Sequence, residues 1–296
     1  MSTHGSQPAD APSSGHSLQE RVRQQLTRFT DAERRVAQAL LADYPVAGLE
    51  TVARFAKRAG TSGPTILRFV SRLGFQTYAD FQNALHEEIH VRLQGPLTRY
   101  PSQGHPEKRD LTENVTQALA DNISKVGKTF HQDDLQEITA LLCDEARTVF
   151  FLGGRFSHIL ATYFHHYMRE LHPRVRLVRD TSAAWADYLL DVKPGDVLVT
   201  FDFRRYQADV LEFAKAATAQ GATIILITDV WYSPIASLAH KVVACPVEIP
   251  SAFDSGVAGL ATVEIIVSAV VEELGTDAKE RMTTLEGLRK SFRLGQ

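Results

Sequence analysis

The sequence predicts two domains: an all-α N-terminal domain, then an α/β domain in which helices cover both faces of a parallel sheet in three layers. Three observations lead there. A chain of 296 residues has room for two cores at roughly 100–200 residues per domain. Residues 18–93 place apolar side chains at helical spacing with little strand signal. Beyond about residue 147, short β-branched and apolar runs alternate with helical stretches, the pattern of strands buried on both faces. Hydrophobic residues at 44% and charged residues at 23% are ordinary globular values, which sets aside collagen, coiled coil and general disorder.

Each element has its own signal. Residues 1–17 are rich in Ser, Gly, Pro and His and lack a basic start or apolar run, so they read as a disordered tail and not a secretion signal. Thr30-Asp31-Ala32-Glu33 is a capping box: the Thr hydroxyl accepts from the third helical amide while Glu33 reaches back to the first. The helix it opens carries Val36, Ala39, Leu40 and Tyr44 until Pro45 ends it. A second helix, about 51–59, buries Val52, Phe55, Ala56 and Ala59. A third, about 64–73, starts with Pro64 in its first turn and buries Ile66, Leu67, Phe69 and Val70, with Gly74 after its end. Thr77 caps a further helix through Phe81, Leu85 and Ile89. Three prolines and two glycines make residues 94–110 a linker. A helix follows over about 111–128. The strands are expected at 148–152, 175–178, 197–201, 223–228 and 242–244, and helices at about 156–171, 185–190, 208–220, 235–239, 259–274 and 277–294. The domains are therefore placed at 18–93 and 111–296.

Charge divides the chain in a way its net value of −3 conceals. From Thr51 to Phe75 there are five basic residues, Arg54, Lys57, Arg58, Arg68 and Arg72, and no acid. A basic island in an acidic chain points to a localised anionic partner, nucleic acid first. The same window holds two short helices joined by Gly60-Thr61-Ser62-Gly63, the helix-turn-helix arrangement, whose second helix enters the major groove. Thr65, Arg68 and Arg72, spaced i, i+3, i+7, are expected to share the reading face. An Arg fork fits guanine O6 and N7 or a phosphate, while Ser62, Thr65 and the free amides of the helix start suit phosphate. Lys57 and Arg58 supply sequence-independent attraction, and Thr51 is also among the expected DNA contacts. Double-stranded DNA is thus the expected partner, read by a homodimer or homotetramer on a palindromic site, because one helix touches too few base pairs for specificity.

The chemistry that is missing also narrows the function. Cys143 and Cys245 lie about a hundred positions apart, so a disulfide framework and a zinc ribbon are excluded and a reducing cytoplasm fits. The longest apolar run, around Ile265–Val271, is bounded by Glu264 and Glu272-Glu273, too short for a membrane span. His158, His165, His166 and His172 cluster, but no two have ligand spacing on a helix; they read as polar surface positions, and no metal or other cofactor is expected. No nucleophile motif or phosphate-binding P-loop appears.

Several motifs resemble a known family. Phe29-Thr30-Asp31-Ala32-Glu33-Arg34-Arg35-Val36-Ala37, Ala53-Arg54-Phe55-Ala56-Lys57-Arg58-Ala59-Gly60-Thr61-Ser62 and Thr65-Ile66-Leu67-Arg68-Phe69-Val70-Ser71-Arg72-Leu73-Gly74-Phe75, with Tyr78-Ala79-Asp80-Phe81, are similar in order and spacing to the N-terminal domain of RpiR/MurR transcriptional regulators. Phe151-Leu152-Gly153-Gly154, Lys193-Pro194-Gly195-Asp196-Val197-Leu198-Val199, Gly221-Ala222-Thr223-Ile224-Ile225-Leu226-Ile227-Thr228-Asp229 and Ser233-Pro234-Ile235-Ala236 resemble the SIS (sugar isomerase) domain that follows it in that family. The resemblance implies a regulator whose second domain senses a phosphorylated sugar or sugar acid.

In an open parallel sheet, ligands bind beyond the C-terminal strand ends, where helix N-termini offer amides to anions. Two loops qualify here. The first holds Gly153, Gly154, Arg155, Ser157 and His158; Arg155 stands where SIS domains usually have a second glycine. The second, Asp202-Phe203-Arg204-Arg205-Tyr206-Gln207, replaces the usual Ser/Thr-rich phosphate cradle. Three readings stay open. Arg155, Arg204 and Arg205 bind a phosphate or carboxylate in place of hydroxyls; or Phe203, Arg204 and Tyr206 fill the pocket and the domain only dimerises; or the arginines pair with Asp202 or Asp209 and hold the fold. Ser251 and Ser255 complete the pocket or belong to a turn capped by Asp254 or Ser255. The effector class therefore widens to sugar phosphate, sugar acid or other organic acid. The competing class is a sugar-phosphate isomerase with Glu264 or His158 as base.

Overall fold

The structure is a computed structural model that describes residues 18–93, 99–100, 111–179 and 181–292. The expected tail at 1–17, nearly all of the expected linker and the last residues of the final helix lie outside the described residues. The chain divides into two compact units, Met1–Val91 and Arg92–Gln296.

The first unit is helical: α1 (Leu18–Gln24), α2 (Asp31–Ala42), α3 (Val46–Leu49), α4 (Val52–Arg58), α5 (Gly63–Arg72) and α6 (Tyr78–Leu93). Both halves of the Thr30 capping box form: the Glu33 amide donates to Thr30 Oγ1 at 3.4 Å, and Glu33 Oε2 accepts from the Thr30 amide at 2.9 Å. Phe29, Val36, Leu40, Phe55, Ile66, Phe69, Leu73, Phe81 and Leu85 share one core. Gly60 makes the turn between α4 and α5 with φ of +59°, a left-handed conformation that strains any residue with a Cβ.

The second unit carries α7 (Leu111–Thr129), α8 (Gln132–Cys143), β1 (Val149–Gly153), α9 (His158–Leu171), β2 (Val175–Leu177), α10 (Trp185–Leu189), β3 (Val197–Asp202), α11 (Ala208–Ala219), β4 (Thr223–Asp229), β5 (Lys241–Cys245), α12 (Val257–Leu274) and α13 (Thr276–Ser291). The five strands form one parallel sheet in the order β2-β1-β3-β4-β5. Alternation along the strands feeds two cores. Phe151, Val199, Phe201, Ile225 and Ile227 face α8, α9 and α12, while Phe150, Leu152, Leu198, Ile224 and Leu226 face α10 and α11. This is the three-layer α/β architecture expected. Helices α1, α3 and α8 were not expected from the sequence, and a short helical turn at Pro234–Ser237 stands where a helix to Ala239 was expected.

The strand order fixes where a ligand can sit. From β1 the chain passes outward to β2, then returns across β1 to β3, so the β1–α9 and β3–α11 connections diverge at a topological switch point. The crevice beyond the C-terminal ends of β1 and β3 is the ligand position this topology creates.

Candidate functional site

In the helical unit, α5 presents a different face from the one the sequence suggested. Thr65 is buried, at 5% exposure, and Leu67, expected in the core, is 48% exposed. The exposed positions are Pro64, Leu67, Arg68, Ser71 and Arg72, because Ile66, Phe69 and Val70 turn inward with Thr65. Thr65 acts through its neighbours: its hydroxyl meets Ser62 Oγ at 2.9 Å and accepts from Arg68 Nη2 at 3.2 Å. Arg68 is thereby steered at the exposed surface. Arg72 differs again. Its Nη1 donates to Glu33 Oε2 at 2.7 Å, so it ties the end of α5 to the capping box of α2. Burial would raise the Glu33 carboxyl, but the Thr30 bonds and the Arg72 charge hold it below its ordinary value.

On α4, Thr51 Oγ1 accepts from the Arg54 amide at 3.4 Å and caps the helix. Arg58 is not the free cation expected: it pairs with Glu50 and, at 3.0 Å, with Asp43. Arg54, Lys57 and Arg68 are exposed and form no ion pair among the described residues. The basic surface is therefore narrower than the sequence count, centred on these three with Ser62, Leu67 and Ser71. Arg54, Leu67 and Ser71 were not among the expected contact residues. Ser71 was recoverable from periodicity, lying i+3 from Arg68 and i+7 from Pro64.

In the α/β unit, a cavity of about 440 Å³ opens at the switch point, lined by Phe156, Ser157, Ile159, Leu160, Phe203, Arg204, Arg205, Val247, Phe253, Asp254 and Ser255, with Arg99 at its side. An adjoining, more polar cavity of about 360 Å³ brings in Arg155, Asp202 and Gln207. The structure thus gathers most of the residues expected to bind an effector. It leaves out Gly153 and Gly154, His158 at the start of α9, and Ser251, whose hydroxyl accepts from the Phe253 amide at 3.1 Å.

The first loop is closed on itself. Gly153 ends β1 where the chain doubles back; a Cβ there would lie 2.6 Å from the His158 nitrogen. Ser157 Oγ accepts from the Gly154 amide at 2.8 Å and donates to the Phe201 carbonyl at 2.7 Å. The Arg155 amide donates to Gln207 Oε1, and the Gln207 side chain packs on Gly154. The amides expected to meet an anion are occupied by the chain's own side chains. The Arg155 guanidinium is exposed and lies over the Phe156 ring at 4.7 Å.

Arg204 has a different fate. Its side chain is 2% exposed, and it pairs with Asp254 through two contacts, Nε to Oδ2 at 2.6 Å and Nη2 to Oδ1. Glu248 lies 3.5 Å away, and the guanidinium stacks on Trp231 at 4.2 Å. Its amide donates to Asp229, which also accepts from Tyr206 Oη at 2.7 Å and from the Trp231 amide at 3.0 Å. Arg204 therefore follows the fold-holding alternative, with Asp254 as its partner and not Asp202 or Asp209. Burial opposes the charges of both Arg204 and Asp254, yet their pairing keeps each ionised, with Arg99 adding a second cation to Asp254. Asp202 is buried, accepts from Ser233 Oγ, and burial pushes its carboxyl up to about 6, opposed by Ser233 and Gln207. Burial likewise raises Asp229 against the bond from Tyr206. Asp202 is a support for the β3–α11 loop and not an open ligand. Tyr206 does not fill the cavity, since its hydroxyl is turned to Asp229. The sequence reading missed Trp231 and Asp229, and it gave Asp254 no role beyond a cap.

Two groups first weighed elsewhere are also resolved. Glu264 accepts from Tyr163 on the α9–α12 surface, and neither it nor His158 lines the cavities at the switch point. His165 and His172 are buried in the α/β core, not displayed as surface groups; burial lowers His165 to about 4. Among the described residues, no group of three or more His, Cys, Asp or Glu could hold a metal ion, and no helix is long and apolar enough to cross a membrane.

Comparison with known proteins gives two domain matches. Residues 16–91 match the helix-turn-helix domain of the rpiR family, and residues 143–269 match the SIS domain. An uncharacterized HTH-type transcriptional regulator of Clostridium perfringens is 22% identical over 267 residues, covering 86% of this chain and 92% of its own. Among solved structures, the sugar isomerase domain of an RpiR transcription factor from Sphaerobacter thermophilus is 17% identical with a TM-score of 0.56, over 60% of this chain and 99% of its own. The Vibrio vulnificus NanR protein, solved complexed with ManNAc-6P, is 20% identical with a TM-score of 0.54, over 93% and 98%. At these identities the structural likeness is one of fold.

Proposed function

This chain is a member of the RpiR-type transcription regulators, an rpiR-family helix-turn-helix domain followed by a SIS domain, and from that premise we propose that it binds operator DNA and alters that binding when a small anionic metabolite enters the switch-point cavity. The observation that carries the reading is the α5 face of Leu67, Arg68 and Ser71, flanked by Arg54 and Lys57 on α4. Its chemistry divides as DNA recognition requires. Arg68 offers a fork to a base edge, Leu67 an apolar surface of the kind that meets a thymine methyl, and Arg54, Lys57 and Ser62 phosphate contacts. Thr51, Thr65, Arg58 and Arg72 hold this surface in shape instead of touching DNA. A homodimer or homotetramer is the working form, because symmetric half-sites about one helical turn apart give one such helix its specificity.

The effector reading rests on the cavity, its three guanidinium groups and its position at the switch point. The Vibrio vulnificus neighbour complexed with ManNAc-6P supports a metabolite as the occupant of this fold. A binding role is favoured over isomerisation because the residues nominated as bases, Glu264 and His158, stand outside the cavity walls. Such a regulator works in the cytoplasm, where its DNA is, and needs no cofactor. The domains are assigned as 18–93 for DNA and 111–296 for effector and assembly, joined by 94–110.

The test is capture of sheared genomic DNA by the purified full chain at low salt, then footprinting of retained fragments. An inverted repeat protected over two half-sites is the expected result. Retention of no fragment, or protection without two-fold symmetry, overturns the reading.

A further inference from the structure

Resting on the effector reading above, we infer that the cavity takes a small hydrophobic monocarboxylate, an aryl or medium-chain alkyl acid, in preference to a sugar phosphate. A sugar phosphate brings a dianion and several hydroxyls, and each buried hydroxyl requires a partner. The walls are instead built by Phe156, Ile159, Leu160, Phe203, Val247 and Phe253, which have nothing to offer a hydroxyl. The polar groups nearby are largely engaged. Ser157 Oγ serves the Gly154 amide and the Phe201 carbonyl, and Gln207 Oε1 covers the Arg155 amide. The loop that would surround a phosphate with N–H groups is thus already closed by a carboxamide.

Charge points the same way. Arg99, Arg204 and Arg205 line the cavity with one carboxylate, Asp254, among the described residues. Asp254 pairs with Arg99 and Arg204, while Arg205 is exposed and forms no ion pair among the described residues. Arg204 is committed to Asp254 and Trp231, and its Nη1 is buried without a hydrogen-bond partner. The open Arg205 fork suits a single planar carboxylate, which accepts bidentately; the other exposed guanidinium, Arg155, lines the adjoining cavity and lies over the Phe156 ring. The two bonds of the Arg205 fork leave the third oxygen of a phosphate against apolar walls. The apolar body of the ligand would cover the exposed Phe156, Ile159 and Phe253 rings and chains, apolar surface that water otherwise meets.

Octanoate, phenylacetate and glucose 6-phosphate serve as probes, each titrated calorimetrically into the full chain and into Arg205→Gln and Phe253→Ser, two exposed positions whose replacement leaves the core intact. The carboxylates are expected to bind and glucose 6-phosphate not to. Arg205→Gln should weaken the carboxylates roughly tenfold to hundredfold, the effect of removing a charged hydrogen bond, and Phe253→Ser should weaken both octanoate and phenylacetate. Tighter binding of the sugar phosphate, lost in Arg205→Gln, overturns the ligand class and leaves the effector reading standing. Carboxylate binding indifferent to both variants places it elsewhere and overturns the inference. If no probe binds, and Arg205→Gln changes neither operator affinity nor melting temperature, the effector reading falls with it.

Discussion

Asp254→Ala is the perturbation whose outcome the structure determines most closely. The Arg204 side chain is 2% exposed, and Asp254, 30% exposed, is its two-point partner. Removing one member of a buried ion pair costs about 3–5 kcal/mol, because the other charge stays buried and uncompensated. Two features reduce that here. Glu248 remains at 3.5 Å and the Trp231 ring at 4.2 Å, and the partly open Asp254 side lets water reach the vacated guanidinium. About 2–3 kcal/mol is the expected loss, or roughly 5–10 °C in Tm for a domain of this size. The assay is urea denaturation followed by tryptophan fluorescence. Both tryptophans, Trp185 and Trp231, lie in the α/β unit, so the signal reports that unit alone. Asp254→Asn, which keeps one acceptor, should lose about half as much, and Arg204→Met added to Asp254→Ala should recover part of the loss by removing the stranded charge. A loss under about 0.5 kcal/mol for Asp254→Ala would mean that Arg204 is hydrated without its partner, and the argument for a structural anchor would be refuted.

Three further outcomes are expected. Arg68→Ala should weaken operator binding by about 1–3 kcal/mol and relax base preference at one position; Arg72→Ala should lose helical-unit stability first, and a gel-shift series showing the reverse ranking would undo the assignment of Arg72 to the Glu33 tie. Gly60→Ala should destabilise the helical unit by about 1 kcal/mol, since its φ of +59° is penalised and nothing lies close enough to add a clash; an unchanged denaturation midpoint by circular dichroism contradicts this. Asp202 is raised to about 6 chiefly by burial, so the folded state favours its protonated form. Its contribution is fully present below about pH 4 and is lost as pH rises through about 6, by up to about 3 kcal/mol. Asp202→Asn, neutral throughout, should therefore gain on the parent over that interval, and a stability difference independent of pH would show that Asp202 does not titrate there.

The helical unit was legible because its signals are local. A capping box, a proline at a helix start and a positive-φ glycine each act over three or four residues, and Thr30, Pro64 and Gly60 do what those rules require. The reading face was harder for a reason visible in α5. The spacing i, i+3, i+7 puts Thr65, Arg68 and Arg72 on one stripe of an isolated helix, but which stripe meets solvent is decided by the other helices of the core. The core takes Thr65 and releases Leu67, a rotation that a polar side chain at the boundary cannot reveal in sequence. The charge count misled similarly: Arg58 and Arg72 meet Asp43, Glu50 and Glu33, acids that lie outside the window over which the basic residues were counted.

At the α/β site the strand pattern foretold the sheet and the loops, because apolar runs report burial on both faces directly. The chemistry of the loops was not foretold, because each decisive contact joins segments far apart in the chain. Arg204 finds Asp254 fifty positions away, and the Arg155 amide finds Gln207 fifty-two away. A loop with Arg-Arg in place of hydroxyls reads as an anion site when its cations are counted as free. Pairing one of them with a carboxylate and stacking it on Trp231 leaves Arg205 as that loop's open fork, against apolar walls. The departure from the hydroxyl-rich pattern is thus a change in which groups remain available, and it moves the expected ligand from one recognised by many hydrogen bonds to one recognised by one charge and an apolar body.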